Sequence, residues 1–229
     1  MGLGSFICAL RDKDQETLYR ILFENHLEEL QAIVFDNDIN NHNIMTYCMD
    51  KLKNQDELMR KFLKGFMRAS YQKEGLQDFI NEVLADKKDL VGIELGSFAG
   101  DSTEMFLNSG SFKKLYCVDA WTEGIFAYLE NIFDERFAGN KKIAKIKEYT
   151  INASKQFQLN SIDFIYIDAS HDYNSVKNDI LHYYPKMKSG AIISGHDYLP
   201  YHQGVIDAVN EIFGKPIKVF KDNSWYVIK

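Results

Sequence analysis

The chain is short of proline, cysteine and clustered positive charge, and each shortage excludes something. Three prolines among 229 residues leave long helices free to run unbroken. The cysteines, Cys8, Cys48 and Cys117, are odd in number and lack C-x-x-C spacing. A disulfide framework and a thiolate zinc site are therefore not expected, and a reducing, cytoplasmic setting fits best. The net charge is −6 and no long run of Lys or Arg occurs, so nucleic acid is not the expected partner. Lys141, Lys142, Lys145 and Lys147 form one local basic group, which reads as a solvated turn and strand edge. No apolar stretch is long enough to span a membrane, and the mildly apolar start is interrupted by Arg11, Asp12 and Lys13.

What remains is the balance of a globular protein, 45% hydrophobic and 26% charged. Residues 1–88 read as a helical region. Leu18, Ile21, Leu22, Leu27, Leu30, Ile33 and Val34 recur at three- and four-residue steps over 14–35. A polar, asparagine-rich break over 36–43 separates this stretch from shorter helical patterns at 45–52, 55–71 and 76–85. Such helices would cap a site, bind an acceptor or pair two chains.

After Leu90 short apolar runs alternate with helical stretches, the pattern of a parallel sheet with crossover helices. The strands are expected at 91–95, 115–118, 144–149, 162–167, 191–194, 217–220 and 225–228. Helices fit between them at 102–108, 125–137, 153–158, 174–184 and 205–213. The last two strands are joined by Lys221–Ser224, too short for a helix, so they pair as a hairpin. The fold class is α/β, a Rossmann-like seven-stranded sheet whose last strand runs antiparallel, over residues 89–229.

Ligands of such sheets bind beyond the carboxyl ends of the strands, where the strand order reverses. The first strand runs into Glu94-Leu-Gly-Ser-Phe-Ala-Gly-Asp-Ser-Thr103. Gly96 and Gly100 remove side chains where the backbone must turn and approach a ligand. Ser97, Ser102 and Thr103 supply hydroxyls, and the helix they open offers N–H groups that can hold a carboxylate. The charge of Glu94 suits an ammonium, so an amino-acid moiety would satisfy both. The spacing G-x-x-x-G is not the G-x-G-x-x-G of dinucleotide sites. Asp119, after the second strand, can accept two ribose hydroxyls or cap a turn. Trp121 can cover an adenosine or serve as a packing residue.

Two further strand ends bring Asp168 with His171, and His196 with Asp197, toward one edge. Each alone has a structural reading, since a strand-end aspartate often caps a helix. Together they offer two carboxylates and two imidazoles. His182 and His202 have less company, His202 lying in a loop near this edge. Tyr198 reads either as a pocket wall or as core.

Glu94-Leu-Gly-Ser with Gly100-x-Ser-Thr103, Asp119-Ala-Trp-Thr122, Ile165-Tyr-Ile-Asp-Ala-Ser-His-Asp-Tyr173 and Ser194-Gly-His-Asp-Tyr198 are four ordered motifs. Together they resemble class I S-adenosylmethionine-dependent methyltransferases, in particular the macrolide and aminocoumarin sugar O-methyltransferases, over residues 88–229. The resemblance implies S-adenosylmethionine as donor, a sugar, glycan or small-molecule hydroxyl as acceptor, and contact of Thr150 with the adenine edge. It implies His171 as general base, three residues beyond Asp168, because a neutral hydroxyl is a poor nucleophile. Relatives also hold a divalent cation, typically magnesium, through that aspartate and an acidic pair after the fifth strand. Here Asp168, His196 and Asp197 occupy those places. A histidine there departs from the pattern and leaves magnesium, manganese or no metal open. An NAD(P)-linked oxidoreductase and a non-catalytic cofactor-binding module are the alternative readings.

Overall fold

The computed structural model describes residues 68–122 and 125–229. The helices expected over 14–35 and 45–52, and nearly all of that over 55–71, lie outside them. The larger of two compact units comprises Ser70–Trp121 with Glu130–Lys229 and holds the sheet. Its strands are β1 (Leu90–Leu95), β2 (Phe112–Asp119), β3 (Ile143–Lys147), β4 (Ile162–Ile167), β5 (Met187–Gly195), β6 (Lys218–Val219) and β7 (Trp225–Ile228). The helices are α1 (Ser70–Phe79), continued by a π-helical turn Ile80–Leu84, α2 (Asp101–Asn108), α3 (Ile125–Phe137), α4 (Thr150–Ser154), α5 (Tyr173–Tyr183) and α6 (Gln203–Phe213).

The strand order is β3-β2-β1-β4-β5-β7-β6. From β1 the chain first moves outward to β2 and β3, then returns to lay β4 against the other side of β1. Gly92–Leu95 pair in parallel with Phe164–Ile167, which makes the carboxyl ends of β1 and β4 the point of reversal. β7 runs antiparallel to both β5 and β6, as the short Lys221–Ser224 connection requires.

All seven expected strands form, but their ends differ from the apolar runs. β2 starts at Phe112 and β5 at Met187, ahead of the expected Leu115 and Ala191. These strand starts carry Lys113, Lys114, Lys188, Ser189 and Gly190, whose polarity hides them from an apolar-run reading. Lys114 pairs with Val91, Lys188 is fixed to Asp163 at 2.7 Å, and Gly190 N donates to Lys229 O, the other residues lying where the register shifts. β6 shortens to two residues, and α4 begins at Thr150 rather than Ala153.

The two faces of the sheet are chemically distinct. Ile93 and Leu95 of β1, Ile165 and Ile167 of β4, and Ile193 of β5 join Val176, Ile180 and Val209 in an aliphatic core under α5 and α6. The opposite face is aromatic, with Phe106 5.2 Å from Phe164 and 5.0 Å from Tyr166, edge-on. Phe79 of α1 closes this cluster against Phe164, Tyr166, Phe220 and Tyr226. Residues 70–84 therefore share a core with the sheet. Phe79 is wholly buried, so Phe79→Ala is expected to cost about 3–5 kcal/mol, read as a lowered urea midpoint with an unchanged slope.

Candidate active site

The β1–α2 loop is set by what its glycines omit. Gly96 has φ +86, donates to Val118 O at 2.8 Å, and would place a Cβ only 2.0 Å from the Asp168 carbonyl oxygen. Asp168 N in turn donates to Leu95 O at 2.8 Å. The end of β4 thus passes directly over Gly96, and no L side chain fits between them. Gly100, with φ +87, starts α2 against the rings of Phe133 and Phe137.

Glu94 and Thr103 meet across the loop. The Thr103 hydroxyl donates to the Glu94 carboxylate, and both residues are fully buried. The contact ties the end of β1 to the start of α2. Ser97 and Ser102 are buried beside them. The first N–H groups of α2 have no acceptor within the helix and remain the anion-binding feature of this loop.

Asp119 takes the end of β2. One carboxylate oxygen accepts from Phe98 N and the other from Trp121 N, both at 2.9 Å. Burial raises its pKa, which these backbone donors only partly oppose. Each oxygen keeps a second acceptor direction, so a ribose hydroxyl can still be received. Trp121 adopts the packing alternative: its ring is buried 5.1 Å from Phe133, beneath Lys145, and its Nε1 donates to Phe98 O. Lys145 also pairs with Glu130 and Asp134, so it is less solvated than its sequence context suggests.

Sequence reasoning missed Arg136. From α3 it donates to Ala99 O at 3.1 Å and Asp101 at 2.8 Å, and it pairs with Glu104 at 2.6 Å, strapping loop and helix start together. A lone arginine in an amphipathic helix gives no sequence signal of this. Asp179 was also missed, although a carboxylate amid Val176, Ile180 and Tyr183 breaks the apolar stripe of α5. Burial pushes its pKa up to about 6 against the hydrogen bond from Thr150. Thr150 opens α4 on the same sheet edge, and its carbonyl accepts from Tyr183 Oη at 2.9 Å.

The four residues of the proposed chemical site do converge. His171 Nε2 lies 2.8 Å from Asp197 Oδ2 and 3.8 Å from Asp168 Oδ1. The Asp197 oxygen stands off the ring's N–H axis, so this contact is an ion pair without hydrogen-bond alignment. His196 Nδ1 lies 3.1 Å from Asp197 Oδ1 and 3.9 Å from Asp168 Oδ1. Asp197 holds this place with φ +59, in the left-handed region that aspartate tolerates better than most side chains. Asp172, not His171, caps α5, accepting from Ser175 N at 3.1 Å.

His202 proves to belong to the cluster as well. Its ring centroid is 4.4 Å from that of His171, and its Nε2 is 3.9 Å from Asp197 Oδ1. The sequence placed His202 in a loop near this edge but gave it less company than it has, since the packing of α6 beside α5 sets it against His171. Tyr198 instead bonds Asn210 at 2.8 Å, and His182 bonds Asn178 O on the surface.

Burial disfavours charge on His171, yet Asp168 and Asp197 more than offset this and carry its pKa up to about 10. Asp197 is held well below the usual carboxylate range by His171 and His196 despite its own burial. Burial lowers the His202 pKa. The ligand atoms of Asp168, His196 and Asp197 lie within 4.8 Å of one another, as do those of His171, Asp197 and His202. Both sets can hold a metal ion.

Residues 93–198 match a methyltransferase domain family. The chain is 30% identical over 169 residues to the uncharacterized protein R132 of Acanthamoeba polyphaga mimivirus, covering 66% of this chain and 76% of R132. An O-methyltransferase from Bacillus cereus, solved in complex with SAH, shares the fold with a TM-score of 0.52 and 17% identity over 82% of this chain and 97% of that one. A putative methyltransferase from Streptococcus mutans, also in complex with SAH, gives 0.49 and 14% over 71% and 97%. The match is to a methyltransferase domain, which removes the ground for the dinucleotide-oxidoreductase alternative. The chain belongs to one family with R132 and carries a class I S-adenosylmethionine-dependent methyltransferase domain.

Proposed function

We propose that the protein transfers the methyl group of S-adenosylmethionine to a hydroxyl of a sugar, glycan or other small-molecule acceptor, with His171 as general base. The observation that carries this reading is the convergence of His171, Asp168 and Asp197 on the edge where β1 and β4 reverse the strand order. The hydroxyl class rests on the chemistry of that cluster. The sugar class rests on the four motifs alone.

In this reading Gly96, Ser97, Gly100 and Ser102 shape the seat for the methionine half, Asp119 receives the ribose, and Thr150 borders the adenine. Glu94 and Thr103 act indirectly, by fixing the loop. The acceptor oxygen attacks the methyl carbon in line, the carbon–sulfur bond breaks, and the hydroxyl proton passes to His171.

His171 can accept that proton only when neutral, whereas the two carboxylates keep it protonated to about pH 10. Asp168, His196 and Asp197 offer a donor set that fits a divalent cation, and its imidazole suits manganese better than magnesium. A cation held there would acidify the acceptor hydroxyl and compensate the charge that keeps the proton on His171.

The reading is tested with labelled S-adenosylmethionine against a panel of glycans and small polyols. His171→Ala is expected to lose about 10²–10⁴-fold in turnover while S-adenosylmethionine affinity, measured by calorimetry, stays within twofold. Undiminished turnover removes His171 from the mechanism. With chelator present, kcat/KM should climb with pH toward about 10 as His171 loses its proton. Added manganese should move that rise toward neutrality. A profile that is flat above pH 7 under both conditions contradicts a base at this position. No methyl transfer to any acceptor, with the donor bound, would favour the non-catalytic alternative.

A further inference from the structure

Asp222 lies in the turn between β6 and β7, where an Asp-Asn pair would ordinarily face water. It is instead completely buried, as is its neighbour Ser224. α1 seals it: a Cβ added to Gly75 would lie 2.4 Å from Asp222 Cβ. Among the described residues, no Lys or Arg pairs with it. Its oxygens accept from Ser224 N at 3.1 Å and Ser224 Oγ at 2.7 Å, and Ser224 Oγ also meets the Tyr166 hydroxyl at 2.7 Å. A carboxylate removed from water this completely costs several kcal/mol unless further donors or charges compensate it.

One such donor is at hand. His196 Nε2 points into the same buried space, 3.9 Å from Asp222 Oδ2, and has no hydrogen-bond partner. Closing that gap to the usual ~2.9 Å takes a shift of about 1 Å. Trp225, the first residue of β7, donates to the His196 carbonyl at 3.2 Å, so the turn that carries Asp222 also holds the histidine backbone. The other ring nitrogen, Nδ1, faces Asp197 and Asp168.

We propose that Asp222 is a positioning residue that holds the Nε2–H of His196 and thereby turns Nδ1 toward the Asp168–Asp197 edge. The opposite arrangement would aim the Nε2 lone pair at a wholly buried carboxylate, whereas the carboxylates facing Nδ1 are about one-sixth exposed, within reach of water or a cation. Carboxylates orient metal-ligating histidines in this way, fixing which nitrogen is presented. Asp222 itself lies outside the proposed donor set and acts only through His196. Only its consequence for cation binding rests on the proposed function.

The test uses the full chain labelled with ¹⁵N-histidine, the His196 resonances being assigned by their loss in His196→Asn. In the wild type without added metal, Nε2 should carry a proton at neutral pH. Asp222→Asn should shift both ring nitrogens of His196. It should also weaken manganese binding, measured by electron paramagnetic resonance titration, by about 10–100-fold, with S-adenosylmethionine affinity unchanged. An unprotonated Nε2 in the wild type overturns the proposal, whether or not the variant folds. So does a protonated Nε2 whose resonances ignore Asp222→Asn. If the resonances shift but manganese binds neither protein, the role of Asp222 stands and the cation in the proposed function falls.

Discussion

The contact on which the rest of the structure depends is the passage of β4 over Gly96. Two backbones meet there with no side chain between them, since a single methyl group would stand 2.0 Å from a carbonyl oxygen. The closeness lets Asp168 N bond Leu95 O and draws the end of β4 onto the β1–α2 loop. From that one approach follow both halves of the site. The β1–α2 loop turns away from Gly96, and the strand that crosses it delivers Asp168 and His171. Neighbouring β5 then adds His196 and Asp197 from the next position in the ladder.

Much of this was legible in the sequence, for physical reasons that can be named. The central parallel strands are buried on both faces and so apolar along their length, while the final hairpin was legible from its short connection. The polar starts of β2 and β5 were not, because Lys113, Lys114 and Lys188 lie in strands without belonging to the core. The strand-end motifs located Asp119, Asp168, His171, His196 and Asp197 correctly on one edge. Where a side chain points was less visible. Nothing in the sequence showed that the Thr103 hydroxyl would meet the Glu94 carboxylate. Trp121 allowed two readings, and only the position of Phe133 chose between them.

The residues that escaped notice share a trait: their partners are distant in the chain. Arg136 reaches Asp101 across 35 positions, and Asp222 approaches His196 from a hairpin tip. Neither lies in a motif, and each depends on tertiary geometry that no local pattern encodes. These long-range groups surround the motif residues with charge that the motifs alone do not contain.

The left-handed backbone at Asp197 has an evolutionary consequence. At φ +59 the position admits few replacements without strain, chiefly asparagine and glycine. Both are one nucleotide change from an aspartate codon, and both erase the carboxylate that His171, His196 and His202 share. A lineage can therefore abandon the chemistry of this centre in a single step while keeping its fold intact. Drift toward any bulkier or branched residue would have to reshape the β5–α6 connection first.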